Sequence, residues 1–381
     1  MAFVLAALQL VFALTWVVYV IYLPSLAAQA GLDKRYVPMI LMMDQGIFIV
    51  CDWAAGVYAD RVAQLLGRVG KTMAIATVVS CVAFIALPFI APTAGALPFL
   101  FVTVLWSVTS SALRAPPFVI VARHVDLARR SWMAGVYVLG LGLAGAVAPY
   151  LGLKLKGVDP RLPFALASIA LAVFTFALAH AEADATAAAK VPPSSPAPLG
   201  SRRIVFAIAC LLFAIGFQVH SSINSAPAYR RFAQASELPQ LLPIFWIGFN
   251  VAVLPATWLT KRFGGAAAMA VGGVAGVVAL FGCVQAGDLA SLIAAQAVAG
   301  IAWSVVLMSA FSASMELGRP EREGAFTGLL FSILAAAALL RILLATSSPD
   351  AATTLASWPL VDWAAATSLV AILARRGLLT R

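Results

Sequence analysis

The chain has 381 residues, of which 63% are hydrophobic and 10% charged, and its mean hydropathy is +0.99. A soluble protein of this length carries roughly a quarter charged residues, so the apolar excess must face lipid and an ordinary globular fold is excluded. The net charge of +10 does not point to nucleic acid, because the basic residues stand at the ends of apolar runs rather than on one soluble face.

A membrane-spanning helix needs about 20 mostly apolar residues. Six such runs occupy the first half: Phe3 to Leu23, Val37 to Ala59, Thr72 to Ala91, Leu97 to Ala122, Trp132 to Leu153 and Leu162 to His180. The first starts almost at Met1 with no basic stretch before it and no small-x-small cleavage site after it, and reads as a retained helix rather than a signal peptide. Glu182 to Arg203 is Ala-rich, passes through PPSSPAP and ends on a basic pair, the composition of a semi-extended tether. Six more runs follow: Ile204 to Ala226, Leu241 to Thr260, Ala266 to Ala286, Leu289 to Met315, Gly324 to Ala345 and Trp358 to Ala374, the last short and interrupted by Asp362. The expected fold is an all-α integral membrane protein of about twelve transmembrane helices, with six-helix bundles over 1–181 and 204–381 joined by a cytoplasmic linker over 182–203. A faint internal repeat, Phe12-Ala13-Leu14 against Phe213-Ala214-Ile215, each running on to Pro24 or Pro227, agrees with two parallel halves.

Sixteen of the 25 basic residues fall in loops on the side of both termini, seven on the opposite side and two inside spans. Basic loops stay cytoplasmic, so both termini are expected in the cytoplasm. Cys51, Cys81, Cys210 and Cys283 all sit within apolar runs at no metal-ligand spacing and read as buried small hydrophobes.

Ionisable groups at depth are costly and mark function by default. They are Asp44 and Asp52 in the second run, Arg114 in the fourth, His220 in the seventh and Arg341 in the eleventh. At a rise of 1.5 Å per residue, Asp52 lies about 12 Å from Asp60 and Arg114 about 13 Å from Arg123, so the two depths agree and predict an Asp52–Arg114 pair. Thr103, Ser107, Ser110 and Arg114 share one helical face, which should line water. No basic residue of the first half matches the depth of Asp44, which makes it the expected coupling carboxylate, with Asp52 and Arg114 as its charged neighbours. The competing reading is an interbundle salt bridge from Asp44 to Arg341, although Arg341 also reads as snorkelling to the outer headgroups. In the seventh run Gln218, Ser221, Ser222 and Ser225 share one face, His220 and Asn224 stand beside it, and Pro227 follows, a pattern expected of a solute site.

After the second run the chain reads Gly56-Val57-Tyr58-Ala59-Asp60-Arg61, then Gly67-Arg68 and Gly70-Lys71. This resembles the signature loop of the major facilitator superfamily, with Val62 to Leu66 inserted. Gly56 would permit close helix approach, Asp60 would face the positive end of a neighbouring helix, and Arg61, Arg68 and Lys71 would complete a cytoplasmic gate. The equivalent loop of the second half survives as Lys261-Arg262-Phe263-Gly264. Gly135, Pro149 and Gly152 match part of the superfamily's antiporter motif in the fifth span, while Ala144, Ala148 and Leu153 replace its glycines.

The resemblance implies two rocking bundles and a central cavity lined by spans one, four, seven and ten. By position this nominates Tyr19, Tyr22, Arg114, Gln218, His220, Asn224, Trp303 and Ser309 as solute contacts. The expected function is a proton-coupled secondary transporter of a small organic solute, working by alternating access as an exporter or antiporter. Alternatives are a facilitative uniporter, a proton symporter taking up an organic anion or sugar, and a non-transporting receptor or scaffold. His124, His180 and His220 lie far apart without catalytic partners and no nucleotide-binding loop is present, so no enzyme, metal or cofactor is expected. A monomer in a bacterial inner membrane, binding solute and protons but no nucleic acid, completes the expectation.

Overall fold

The structure is a computed structural model that describes residues 1–66, 68–184, 200–318, 322–347 and 354–375. Among these residues the regular elements are all helical. The first half comprises α1 (Ala2–Gln29), α2 (Val37–Leu66), α3 (Gly70–Ala94), α4 (Ala96–Ser110), α5 (Pro116–His124), α6 (Leu127–Lys154) and α7 (Arg161–Asp184). The second comprises α8 (Ser201–Val219), a π-helical turn (His220–Asn224), α9 (Ser225–Tyr229), α10 (Leu238–Leu241), α11 (Pro243–Phe263), α12 (Gly265–Gln285), α13 (Leu289–Leu317), α14 (Glu323–Ser347) and α15 (Trp358–Arg375). Eleven helical stretches among the described residues are long and apolar enough to cross a bilayer. The 18-residue α15, which carries Asp362, falls short of that measure and makes the twelfth.

Two expected spans are not continuous helices. In the fourth, α4 tightens into a 3-10 turn at Ser111–Leu113 and restarts at Pro116. Pro116 and Pro117 lack amide protons and disfavour helical geometry in the residue before them. The carbonyl of Leu113 freed by the break accepts a hydrogen bond from the Tyr137 hydroxyl of α6 at 3.0 Å, so lipid never meets it. In the seventh, Pro227 cannot donate to the carbonyl four residues back, and the helix widens over His220–Asn224, with the Ser225 amide reaching the His220 carbonyl.

The first six spans form one bundle. Here α1 packs against α6 and α7, and α3 against α4 and α7, around a core in which Phe84 stacks on Phe164 at 4.3 Å and on Trp106 at 5.0 Å. In the other bundle α13 lies between α11 and α12, while α15 covers α8 and α12 and donates Trp363 Nε1 to the Phe213 carbonyl at 3.1 Å. Two long contacts join the bundles: α2 runs along α14, and α6 along α11. At the first, a Cβ on Gly56 would collide with the backbone of Gly324, so only glycine allows this approach.

Glu182 does not begin a linker. It is buried in the last turn of α7, where its carboxylate accepts the amides of Val69 at 2.9 Å and Gly70 at 2.5 Å and so caps the start of α3. His124, at the end of α5, stands 3.4 Å from the same carboxylate. Of the expected linker, residues 185–199 lie outside the described residues and 201–203 already belong to α8. Glu182→Ala leaves two helix-start amides without their charged acceptor and should cost about 2–3 kcal/mol. The expected readout is a lower denaturation midpoint with faster amide exchange at Val69 and Gly70; unchanged exchange there would remove the cap from the account.

Candidate functional site

Between the bundles lies a cavity of about 430 Å³. Its wall comes from α1, α2, α4 and α6 on one side and from α8, the π turn, α11, α13 and α14 on the other. Aromatic rings make much of that wall, with Phe217 stacked on Trp303 at 4.4 Å and Trp16 on Trp106 at 6.2 Å. Gln9, Gln45, Gln218, Ser110, Ser221 and Ser222 add polar groups, and Arg114 and Arg341 add charge. Gln9 Oε1 is buried with no hydrogen-bond partner, an acceptor waiting for a donor.

The depth argument for Asp52 and Arg114 holds, since Arg114 Nη1 lies 2.7 Å from Asp52 Oδ2 with the carboxylate fully buried. Arg114 emerges at the break between α4 and α5 and lies over the Phe48 ring at 3.8 Å. Asp44, Phe48 and Asp52 follow one another at four-residue intervals down one face of α2, so the guanidinium rests on the ring that separates the two carboxylates. Arg114→Ala strips a buried anion of its partner and should destabilise the protein by about 3–5 kcal/mol. Adding Asp52→Asn should restore part of that loss in a melting experiment, and a double variant no more stable than Arg114→Ala would break the proposed coupling.

Asp44 is fully buried and has no cation within 4.0 Å among the described residues. Its two oxygens accept the Tyr19 hydroxyl at 2.8 Å and the Ser107 hydroxyl at 2.7 Å. The Tyr19 ring packs on Trp106 at 4.5 Å, and Trp106 lines the cavity, so the carboxylate lies behind these two side chains. The salt bridge from Asp44 to Arg341 does not form. Arg341 instead lines the cavity rather than reaching for headgroups, with its Nε buried and unbonded.

Of the expected solute contacts, Arg114, Gln218 and Trp303 line the cavity. Five others are turned away from it. Tyr19 serves Asp44, and the Tyr22 hydroxyl donates to the carbonyls of Leu155 and Val158 at 3.1 Å each. His220 Nε2 lies 3.0 Å from Gln296 Oε1, within a buried chain in which Gln296 donates on to Ser225. Asn224 donates to the Leu355 carbonyl at 3.1 Å, and Ser309 shares a hydrogen bond of 2.7 Å with Thr260. Sequence reading missed Gln9, Gln45, Trp16 and Trp246. The glutamines were visible as uncharged polar groups inside apolar runs, while the tryptophans carry no sequence signal that separates a cavity wall from a core.

At the end of the bundles where the N-terminus lies, the cavity is closed. Phe118 of α5 stacks on Phe311 at 4.7 Å, and Phe331, which also touches the cavity, packs on both. Beyond this floor Asp60 crosses between the bundles, its carboxylate accepting the amides of Gly324 at 2.9 Å and Ala325 at 2.8 Å. It therefore caps the start of α14. The family model described as Major Facilitator Superfamily matches residues 5–341. This chain belongs to that superfamily.

Solved structures agree with the superfamily fold. The Escherichia coli fucose:proton symporter FucP, in its outward conformation, is 13% identical over 99% of each chain with a TM-score of 0.72. A bacterial homologue of the iron transporter ferroportin, in an outward-facing state, is 13% identical over 98% of this chain and 99% of its own, with a TM-score of 0.76. The proton:xylose symporter XylE is 12% identical over 99% and 95%, with a TM-score of 0.70. None of the curated proteins matches the sequence significantly. Within the superfamily's signature loop, Gly56 and Asp60 make the interbundle contact, whereas Arg61, Arg68 and Lys71 are exposed. The inserted residues 62–66 simply prolong α2 by more than a turn.

Proposed function

We propose that this superfamily member is a secondary active transporter that carries a small organic solute by alternating access and couples the movement to protons at Asp44. The observation that carries the reading is the placement of Asp44, buried, with no cation within 4.0 Å among the described residues, behind Tyr19 and Trp106 at a cavity walled by both bundles. Residues 1–181 and 204–381 are taken as the two rocking units. Basic-residue counts support both termini, and hence the closed floor, on the cytoplasmic side of the membrane, taken as a bacterial inner membrane. In this orientation the described state is closed inward.

The chemistry follows from the hydrogen bonds. Ionised Asp44 accepts from two hydroxyls, whereas the protonated acid must donate from one oxygen, so Tyr19 or Ser107 has to turn from donor to acceptor. That change occurs where α1, α2 and α4 meet, and α2 is the helix that seals against α14. Protonation thus acts on an interbundle contact, which is the requirement for biasing one state over the other.

Purified protein in liposomes, given an imposed pH gradient and a panel of labelled organic solutes, should concentrate one of them, and reversing the gradient distinguishes symport from antiport. Solute that only equilibrates, regardless of the gradient, would replace the coupled carrier with a facilitative one.

A further inference from the structure

The charges of the cavity do not balance. Its lining holds two arginines and, among the described residues, no carboxylate. Arg114 is matched by Asp52 at 2.7 Å, but among the described residues Arg341 has no carboxylate within 4.0 Å and its buried Nε has no hydrogen-bond partner. The site therefore presents one uncompensated positive charge in a wall of low dielectric. Such a charge is expensive to hold unless a ligand neutralises it. The planar guanidinium matches a carboxylate through two parallel N–H···O bonds, a geometry no ammonium or neutral hydroxyl reproduces.

The remaining wall specifies the rest of the ligand. Phe217 and Trp303 are stacked face to face, with ring centroids 4.4 Å apart and planes within 7°, and Trp246 stands edge-on to Phe217 with centroids 5.9 Å apart, an aromatic cluster in the wall. We propose that the solute is an aromatic monocarboxylate whose carboxylate pairs with Arg341 while its ring packs against the aromatic cluster of Phe217, Trp246 and Trp303. A cation is repelled. A neutral sugar leaves Arg341 unmatched, and a dicarboxylate lacks a second free cation because Asp52 already holds Arg114. The volume of about 430 Å³ lies within the usual range for small-molecule sites, roughly 300–1,000 Å³. The inference rests on the proposed function only in taking this cavity as the solute site.

The test is equilibrium binding by calorimetry to the full chain in detergent, with no gradient. The probes are benzoate, 3-phenylpropanoate and 2-naphthoate, each paired with its carboxamide, together with 3-phenylpropylammonium, phthalate and D-xylose. At least one monocarboxylate should bind about tenfold to a hundredfold tighter than its carboxamide, with the ammonium, the dicarboxylate and the sugar weaker than either. R341Q should remove that preference by weakening carboxylate binding more than carboxamide binding, and R341K should restore part of it. No carboxylate preference in the unaltered protein, tighter binding of sugar, dicarboxylate or ammonium, or a preference that survives R341Q in folded protein would each overturn the proposal. Because the paired probes act on the unaltered protein, a misfolded R341Q does not blunt the test. Binding through Arg341 without uptake in liposomes would instead sink the transport reading and leave this one standing.

Discussion

Asp44→Asn is expected to reduce accumulation driven by a pH gradient to the level of protein-free liposomes, while exchange of labelled for unlabelled solute continues. The amide is nearly isosteric with the carboxylate, its oxygen can still accept one of the two hydroxyls, and its NH2 can donate to the other, so the junction of Tyr19, Asp44 and Ser107 should remain assembled. What disappears is the exchangeable proton. With no cation within 4.0 Å among the described residues, Asp44 in its ionised form is held by two hydroxyl dipoles and, at longer range, by the Arg114 guanidinium over the Phe48 ring. Asp52, by contrast, has Arg114 as a direct partner at 2.7 Å. The variant should therefore sit permanently in the arrangement of the protonated acid, and its exchange rate should lose its dependence on pH. If Asp44→Asn still concentrates solute under the gradient, the proton rides elsewhere, and Asp52 becomes the carboxylate to replace next.

The contrast between the two carboxylates shows which part of the site was legible in sequence. Depth along a helix is fixed by the rise per residue, so Asp52 could be matched to Arg114, while the resemblance to the signature loop placed Asp60 at the start of a neighbouring helix, and both contacts exist. Rotation about the helix axis is set by packing, which a single sequence of Ala-, Leu- and Val-rich spans barely encodes. Tyr22 and Ser309 lie at cavity depth by residue count yet face Val158 and Thr260. Arg341 went astray for the related reason that its level near the end of a span suggested headgroups, while the turn of α14 aims it inward.

Helix interruptions divide in the same way. Pro116 and Pro117 lie inside a run read as one continuous fourth span, and the break they make is survivable only because Tyr137, 24 residues distant from Leu113, covers the freed carbonyl. Pro227 announced a disturbance in the seventh, and the structure resolves it as a widened turn rather than an open end. This turn draws His220 and Ser225 toward Gln296 and away from solute. A polar cluster at helical spacing thus split into a cavity face, Gln218, Ser221 and Ser222, and a packing face. The division depends on the partner helix α13, whose register no local pattern reveals.

Asp60→Ala should shift the protein away from the state in which the N-terminal end is closed. The carboxylate accepts two backbone amides of α14 from the opposite bundle, at 2.9 and 2.8 Å, and it sits at the positive end of that helix. Charge-assisted bonds of this kind contribute about 1.5–3 kcal/mol each, and removing the acceptor also leaves both amides unmatched. A loss of about 3 kcal/mol from one state corresponds to a population shift of roughly a hundredfold. Spin labels at Lys71 and Lys261, exposed on the two bundles at this end, should report a longer distance in Asp60→Ala than in the parent. Asp60→Asn, which keeps one acceptor, should fall between them. Gly56→Val should reproduce the long distance by a different route, since its side chain would enter the backbone of Gly324. An unchanged distance in all three variants would mean that closure is held by the Phe118, Phe311 and Phe331 floor alone, and the signature loop would lose its place in the mechanism.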